Sequence, residues 1–199
     1  AYAAQGKGFL RQVLQQHEAI YLQLLPEIKD HYGRWLVKTY DGAGLNAQGQ
    51  LVNQGLAFVV SMDKQGVAPC LWQQEAAARR LGLGIWQDAI SRVQDAARLT
   101  PSQGGFIRMR GRVSNISSSQ HHWYIGLEGL TAIKIEKSLL ARSHFNINDS
   151  TQLEQWLGQT ISARGWLAWR KLSKKQRKKG YKAGVMSLYN LQMLEQPPS

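Results

Sequence analysis

The densest chemistry in this sequence lies in RKLSKKQRKKGYK, residues 170–182, where basic side chains follow one another without a carboxylate. Ammonium and guanidinium groups at this spacing neutralise phosphates, and the contact weakens steeply with salt because bound counterions are released. We therefore expect sequence-independent binding of nucleic acid. A solvated loop that only aids solubility is the alternative. The expected phosphate contacts are Arg170, Lys171, Lys174, Lys175, Arg177, Lys178, Lys179 and Lys182.

The charge balance of the whole chain points to the same class of partner. Lys and Arg number 25 against 13 Asp and Glu, which gives a net charge of +12 and a pI near 10.0. Such an excess favours a polyanion, with nucleic acid ahead of a membrane surface. A basic arm could instead meet an acidic protein or an anionic lipid. The sequence contains no apolar run of roughly eighteen residues, so a transmembrane span is not expected.

Aromatic residues are interleaved with the basic region and are candidate stacking surfaces for bases. They are Trp123, Tyr124, Trp156, Trp166, Trp169, Tyr181 and Tyr189. In HHWYIGLE, Trp123 alternates with Ile125 and is expected in a core, whereas Tyr124 points to the opposite face. Tyr124 is therefore the predicted stacking residue, with a position in the barrel interior as the alternative. His121 and His122 are neighbours on one strand and face opposite ways, so no metal site is predicted there.

The elements that must position these residues are strands in the second half of the chain. Three strands, a helix around residues 151–157 and two further strands follow one another, which is the order of a five-stranded OB barrel. The strands read FIRMRGRVSN, HHWYIGLE, LTAIKIE, TISARGWLAW and GVMSLYNLQML. Residues 170–182 join the last two strands, beside the face where OB barrels bind oligonucleotides. We predict this barrel over residues 105–195, after a helical linker at residues 89–104.

The first 88 residues predict a mixture of helices and strands. The expected elements are a helix at 3–16, strands at 19–25 and 35–40, and helices at 48–54 and 69–81. Pro26 is expected to end the first strand, and Pro69 to occupy the first turn of the last helix. The single Cys70 has no internal partner for a disulfide, so the cysteine content does not indicate whether the protein works in an oxidising or a reducing compartment. The opening residues have neither an initiating Met nor the features of a signal peptide, and we expect a longer parent chain.

Three stretches of these 88 residues carry a resemblance. DHYGRWLVKTY, LNAQGQLVNQGLAFV and EAAARRLGLGIW come in the order and spacing of the thermonuclease, or staphylococcal nuclease-like, family. The chain resembles this family over residues 1–88, and the second half is similar to an accessory barrel that follows the nuclease domain in some bacterial members. The resemblance implies an α+β, mainly β chain, in which a partial nuclease-like OB barrel with helices precedes a five-stranded OB-like barrel.

The resemblance also implies an activity. Family members cut DNA or RNA with a calcium ion held by carboxylates, a glutamate that activates water, and two arginines that stabilise the charge on the phosphoryl oxygens. By its place in the Tyr-Gly-Arg motif, Arg34 resembles the second of these arginines and is the predicted catalytic residue. Tyr32 resembles the aromatic residue that flanks the nucleotide.

This sequence departs from the family pattern in one large respect. In the family, the metal carboxylates, the glutamate and the first arginine precede the first helix, and this sequence starts at that helix. We therefore expect these 199 residues to hold no calcium alone and to lack phosphodiesterase activity. The first barrel should be open, with strand edges that need either further strands of the protein or another chain. The alternative is a non-catalytic nucleic-acid-binding or protein-interaction protein built on a degenerate nuclease fold.

Overall fold

The computed structural model describes residues 2–16, 19–29, 33–61 and 66–196. The chain separates into two compact units, one formed by residues 1–59 and 68–90 and the other by residues 60–67 and 91–199. Among the described residues, we find no helix with the length and apolar character needed to cross a membrane.

The first unit combines a two-stranded antiparallel sheet with helices. Its elements are α1 (Tyr2–Gln15), β1 (Ile20–Lys29), β2 (Trp35–Asp41), α2 (Ala47–Asn53), α3 (Pro69–Arg80) and a 3-10 turn (Gly84–Gln87). The prediction that Pro26 ends the first strand was wrong, because β1 continues to Lys29. The strand register shifts between Leu24 and Lys29. Proline has no N–H for the ladder, and a strand can accommodate it at such an irregularity.

The side chain of Gln48 on α2 covers the outer edge of β2. Its Oε1 accepts a hydrogen bond from the backbone N–H of Thr39 at 3.1 Å, and its Nε2 donates to the carbonyl of Val37 at 2.9 Å. One amide group thus satisfies a donor and an acceptor that a neighbouring strand would otherwise satisfy. Asn46 caps α2 by accepting from the N–H of Gly49 at 2.8 Å, which fixes Gln48 in the first turn of that helix.

Gly55 in the motif QGLAF and Gly84 in the motif LGLGIW allow two segments of the first unit to approach each other closely. The N–H of Ile85 donates to the carbonyl of Gly55 at 2.8 Å, so the two segments cross in close contact. A Cβ at Gly55 would overlap the carbonyl of Leu83, and Gly55 also has a φ of +65°. Only glycine meets both demands without strain.

The second unit is a closed five-stranded barrel. Its elements are β3 (Val93–Asp95), β4 (Gly105–Ser118), β5 (His122–Leu127), β6 (Thr131–Glu136), α4 (Lys137–Ala141), α5 (Ser150–Glu154), β7 (Thr160–Trp169), α6 (Lys174–Lys178), β8 (Gly184–Leu188) and β9 (Leu194–Gln196). The strands pair in the order β4-β5-β6-β8-β7, and β4 also pairs with β7, which closes the barrel. β6 and β8 are parallel, and helices lie between β6 and β7. This is the OB topology, and the predicted fold class is confirmed.

The segment at residues 89–104 differs from the helical linker that we predicted. It contains two short 3-10 turns and the strand β3, and β3 pairs in parallel with β4, Val93 lying opposite Arg108. The second compact unit therefore takes in the chain from Ser91. A three-residue strand is too short to produce a periodic signal in the sequence.

A buried ionic cluster joins the two ends of this unit to the barrel. Glu195, in the middle of β9, accepts from Nε of Arg108 on β4 at 2.8 Å and from Nε of Arg164 on β7 at 2.8 Å. Arg108 also donates to the carbonyl of Ser91 at 2.6 Å. Burial opposes ionisation of Glu195, but the hydrogen bond from Arg108 and the charges of both arginines outweigh it and lower the pKa of Glu195. The cluster is a structural clamp and no part of the candidate site below.

Candidate nucleic-acid interface

The outer face of β5 and β6 is a shelf with small residues at its centre. The register places Tyr124 opposite Lys134 and Gly126 opposite Ala132, while the intervening pair Ile125 and Ile133 is buried in the core. Trp123 is buried and Tyr124 is half-buried on the outside, as the alternation of the sequence predicts. Because Gly126 and Ala132 have small side chains or none, another segment of the chain can lie against this part of the sheet.

Lys182 occupies that room. A Cβ at Gly126 would lie 3.1 Å from Cε of Lys182, so the lysine stem rests on the glycine. Its Nζ donates to the carbonyl of Gly129 in the β5–β6 turn at 2.9 Å. Burial lowers the pKa of Lys182, and the nearby Glu128 opposes this shift in part. Lys182 thus anchors the end of the basic segment, in addition to any contact that it makes with a phosphate.

The basic segment, residues 170–182, is folded around a short helix. Ser173 and Gln176 form a capping box at the start of α6: Oγ of Ser173 accepts from the N–H of Gln176, and Oε1 of Gln176 accepts from the N–H of Ser173. At its other end, the N–H of Tyr181 donates to the carbonyl of Gln176 at 3.1 Å. The two ends of the segment meet where the N–H of Arg170 donates to the carbonyl of Ala183 at 3.0 Å.

The predicted phosphate contacts divide into two groups. Arg170, Lys171, Arg177 and Lys182 line a surface cleft of about 690 Å³ at the root of the basic segment. The other four lie exposed on or beside α6 and do not line it: Lys174, Lys175, Lys178 and Lys179. A second, narrow opening is lined by Tyr124 together with Arg170 and Lys182. The structure therefore brings the predicted stacking tyrosine next to two of the predicted cations.

Two further aromatic residues from the seven candidate stacking residues belong to this site, although Tyr124 alone was singled out among them. Trp169 and Tyr181 line the cleft with the four cations, and Tyr181 also lines the narrow opening. Their position directly before and inside the basic segment was the available signal. Trp166, by contrast, is exposed but packs edge-on against Phe106 with ring centroids 5.5 Å apart, and it does not line the cleft.

The candidate residues of the first unit are less concentrated. Arg34 is exposed and directly precedes β2, whereas Tyr32 lies outside the described residues. The carboxylate of Asp41 is buried, and it accepts from the N–H groups of Ala43 at 3.0 Å and Leu45 at 2.8 Å. Such a carboxylate holds a turn and does not fit a calcium ligand in an open cluster. Among the described residues, no group of three His, Cys, Asp or Glu side chains could hold a metal ion.

Comparison with protein families gives a match for the first part of the chain. Residues 1–88 match the model of the family described as staphylococcal nuclease homologue. A search of curated proteins found no match. An OB barrel with a cationic cleft thus follows a nuclease-like unit in one chain. Residues 1–88 are thus similar to the staphylococcal nuclease family, and this similarity supports a relationship of the chain to nucleases.

Proposed function

We propose that this chain binds nucleic acid through the basic segment of its second barrel and serves a thermonuclease-like phosphodiesterase that these 199 residues do not complete. The observation that carries the proposal is the cleft in which four cations meet Trp169 and Tyr181. Cations that converge with aromatic rings are the combination that tracks a sugar-phosphate backbone and its bases. The net charge of +12 would draw a polyanion to it from a distance.

The catalytic part of the proposal concerns Arg34. Arg34 is exposed and directly precedes β2, and the similarity of residues 1–88 to the nuclease family supports a role in stabilising the reacting phosphoryl group. Calcium would be the metal of the complete enzyme. The carboxylates of Asp41 and Glu75 both accept backbone N–H groups, so we propose that the calcium ligands come from outside the described residues.

An apolar surface on the first unit supports a protein partner as well. Tyr21, Leu22, Leu24 and Trp35 are each more than half exposed on the β1–β2 sheet, with Tyr21 on the face opposite to that of Leu22. Leu22 and Leu24 lie two residues apart and share one face of β1. Among the described residues, β1 pairs with no strand other than β2. We propose that strands from another segment of the protein, or from a second chain, pair with β1 and cover this face.

The first test is a gel of labelled single-stranded and duplex DNA incubated with this chain in calcium or in chelator. We expect retardation in both and cleavage in neither. Calcium-dependent cleavage would show that the chain holds a complete catalytic site and would contradict that part of the proposal. If DNA is not retarded but anionic vesicles bind the chain, the nucleic-acid proposal fails and the interaction alternative takes its place.

A further inference from the structure

The cleft at the root of the basic segment is lined by apolar and aromatic residues as well as by cations, and phosphate binding does not need such residues. Besides its cations, the cleft is lined by the apolar and aromatic residues Pro101, Leu130, Trp169, Leu172 and Tyr181. Its described lining residues include no Asp or Glu. A phosphate gains little from an apolar wall, whereas the face of a nucleobase stacks on such a surface. The lining therefore suits a ligand that carries both groups.

Trp169 is fixed in place before any ligand arrives. A Cβ at Gly184 on β8 would lie 3.0 Å from a carbon of its ring, and one at Gly104, just before β4, would lie 3.6 Å away, so the indole lies close to both glycines. The indole N–H also donates to the carbonyl of Gln103. Because the ring is already ordered, stacking on it costs little conformational entropy.

Tyr181 is placed by the end of α6. Gly180 takes a φ of +76°, and the N–H of Tyr181 bonds back to the carbonyl of Gln176, which is the hydrogen bond that ends many helices. The tyrosine side chain remains 37% exposed at the junction of the cleft and the narrow opening beside Tyr124. One helix end thus sets an aromatic ring between two openings on the same face of the barrel.

We propose that this cleft binds an unpaired nucleotide of a single-stranded nucleic acid, with the base held against Trp169 and Tyr181 and the flanking phosphates on Arg170, Lys171 and Arg177. In a duplex the base faces are stacked on each other, so a duplex offers this site only its phosphates. Single strands therefore bind more tightly than duplexes at equal salt. This inference rests on the proposed function and adds a choice of substrate form to it.

The test measures the affinity of the full chain for a labelled single strand, the matching duplex and an abasic single strand of equal length. We expect the intact single strand to bind about tenfold more tightly than either of the others. Tyr181→Ala lowers affinity for the intact strand by a similar factor and leaves the duplex and abasic affinities within about twofold. Tyr189→Ala is the matched control, since Tyr189 is exposed but does not line the cleft.

The outcomes separate this inference from the proposed function. Equal affinities for the three ligands, with the salt dependence retained, overturn the inference and leave nucleic-acid binding intact. A loss of binding to all three in Tyr181→Ala overturns it as well, because the tyrosine would then act through the fold or the charges. If Trp169→Phe folds, it should retain part of the preference for the intact strand, since a smaller ring still stacks. No binding of any nucleic acid would remove the proposed function and the inference together.

Discussion

Replacing the four exposed lysines on or beside α6 by glutamine tests whether the basic segment contacts the phosphates of a nucleic acid. Lys174, Lys175, Lys178 and Lys179 lie outside the cleft, so their removal leaves its lining unchanged. Glutamine keeps the helix propensity and the long side chain, and the capping box of Ser173 and Gln176 is untouched. The change lowers the net charge from +12 by four, to +8.

The magnitude follows from counterion release. Each contact with a phosphate of a single strand contributes about 0.7 to the slope of log affinity against log salt, so four contacts contribute about 2.8. The salt slope of the variant should be shallower by that amount. The ratio of wild-type to variant affinity should therefore fall by about 50-fold between 50 and 200 mM salt, because a fourfold change in salt is raised to the power of that difference in slope.

The assay is fluorescence anisotropy of a labelled single strand over a salt series. The control replaces Lys7, Arg11, Arg80 and Arg92 by glutamine, since these side chains are exposed, do not line the cleft and carry the same total charge. The control should keep the wild-type slope, apart from a small general loss of attraction. Equal flattening in both variants would mean that only net charge matters, and an unchanged slope in the α6 variant would refute its contact with phosphates.

Three further predictions concern the clamp, the glycine crossing and Arg34. Glu195→Gln should cost about 3–5 kcal/mol in urea unfolding at pH 7, because it leaves two buried guanidinium groups without their carboxylate. The lowered pKa of Glu195 means that its contribution is full above the usual value of 4.5 and is lost as pH falls through the folded value, so the wild type should lose this advantage over the variant in acid. Gly55→Ala should lower the melting temperature more than Gly44→Ala, since both have positive φ but only the former meets the carbonyl of Leu83; equal losses would leave φ strain as the whole effect. In any preparation that cleaves DNA, Arg34→Lys should slow cleavage more than it weakens binding, because lysine cannot make a bidentate contact; equal losses would make Arg34 a binding residue.

The barrel could be predicted from the sequence because its strands are long and alternate cleanly. Trp123 and Tyr124 are adjacent, and strand geometry alone sends one to the core and the other to the outer face. The position of the basic segment between the last two strands then followed from strand order. The crossing of Gly55 and Gly84 was not foreseen, since a close contact between segments about thirty residues apart leaves no periodic mark in the sequence.

The features of the second unit that were not predicted depend on a local helix cap and on pairs of residues that are distant in sequence. Ser173 and Gln176 form the capping box of α6, but no helix was predicted within residues 170–182. The packing of Lys182 on Gly126 joins a loop residue to a residue of β5 that is distant in sequence, and no local pattern near either residue predicts it. Arg108, Arg164 and Glu195 are likewise far apart in sequence and look like ordinary surface charges until the barrel closes.

The fold gives the eight cations of the basic segment unequal tasks. The lysines of α6 stand in solvent, where their field reaches about 10 Å at moderate salt and can raise the rate of encounter with a polyanion. Arg170 and Lys182 are held at the cleft by hydrogen bonds to the backbone, so they are ordered when the ligand arrives. Within this thirteen-residue segment, the lysines of α6 thus attract the nucleic acid, whereas Arg170 and Lys182 hold it once it is bound. The aromatic wall of Trp169 and Tyr181 lies on the retention side of that division, which is why its removal should affect only ligands that present an unpaired base.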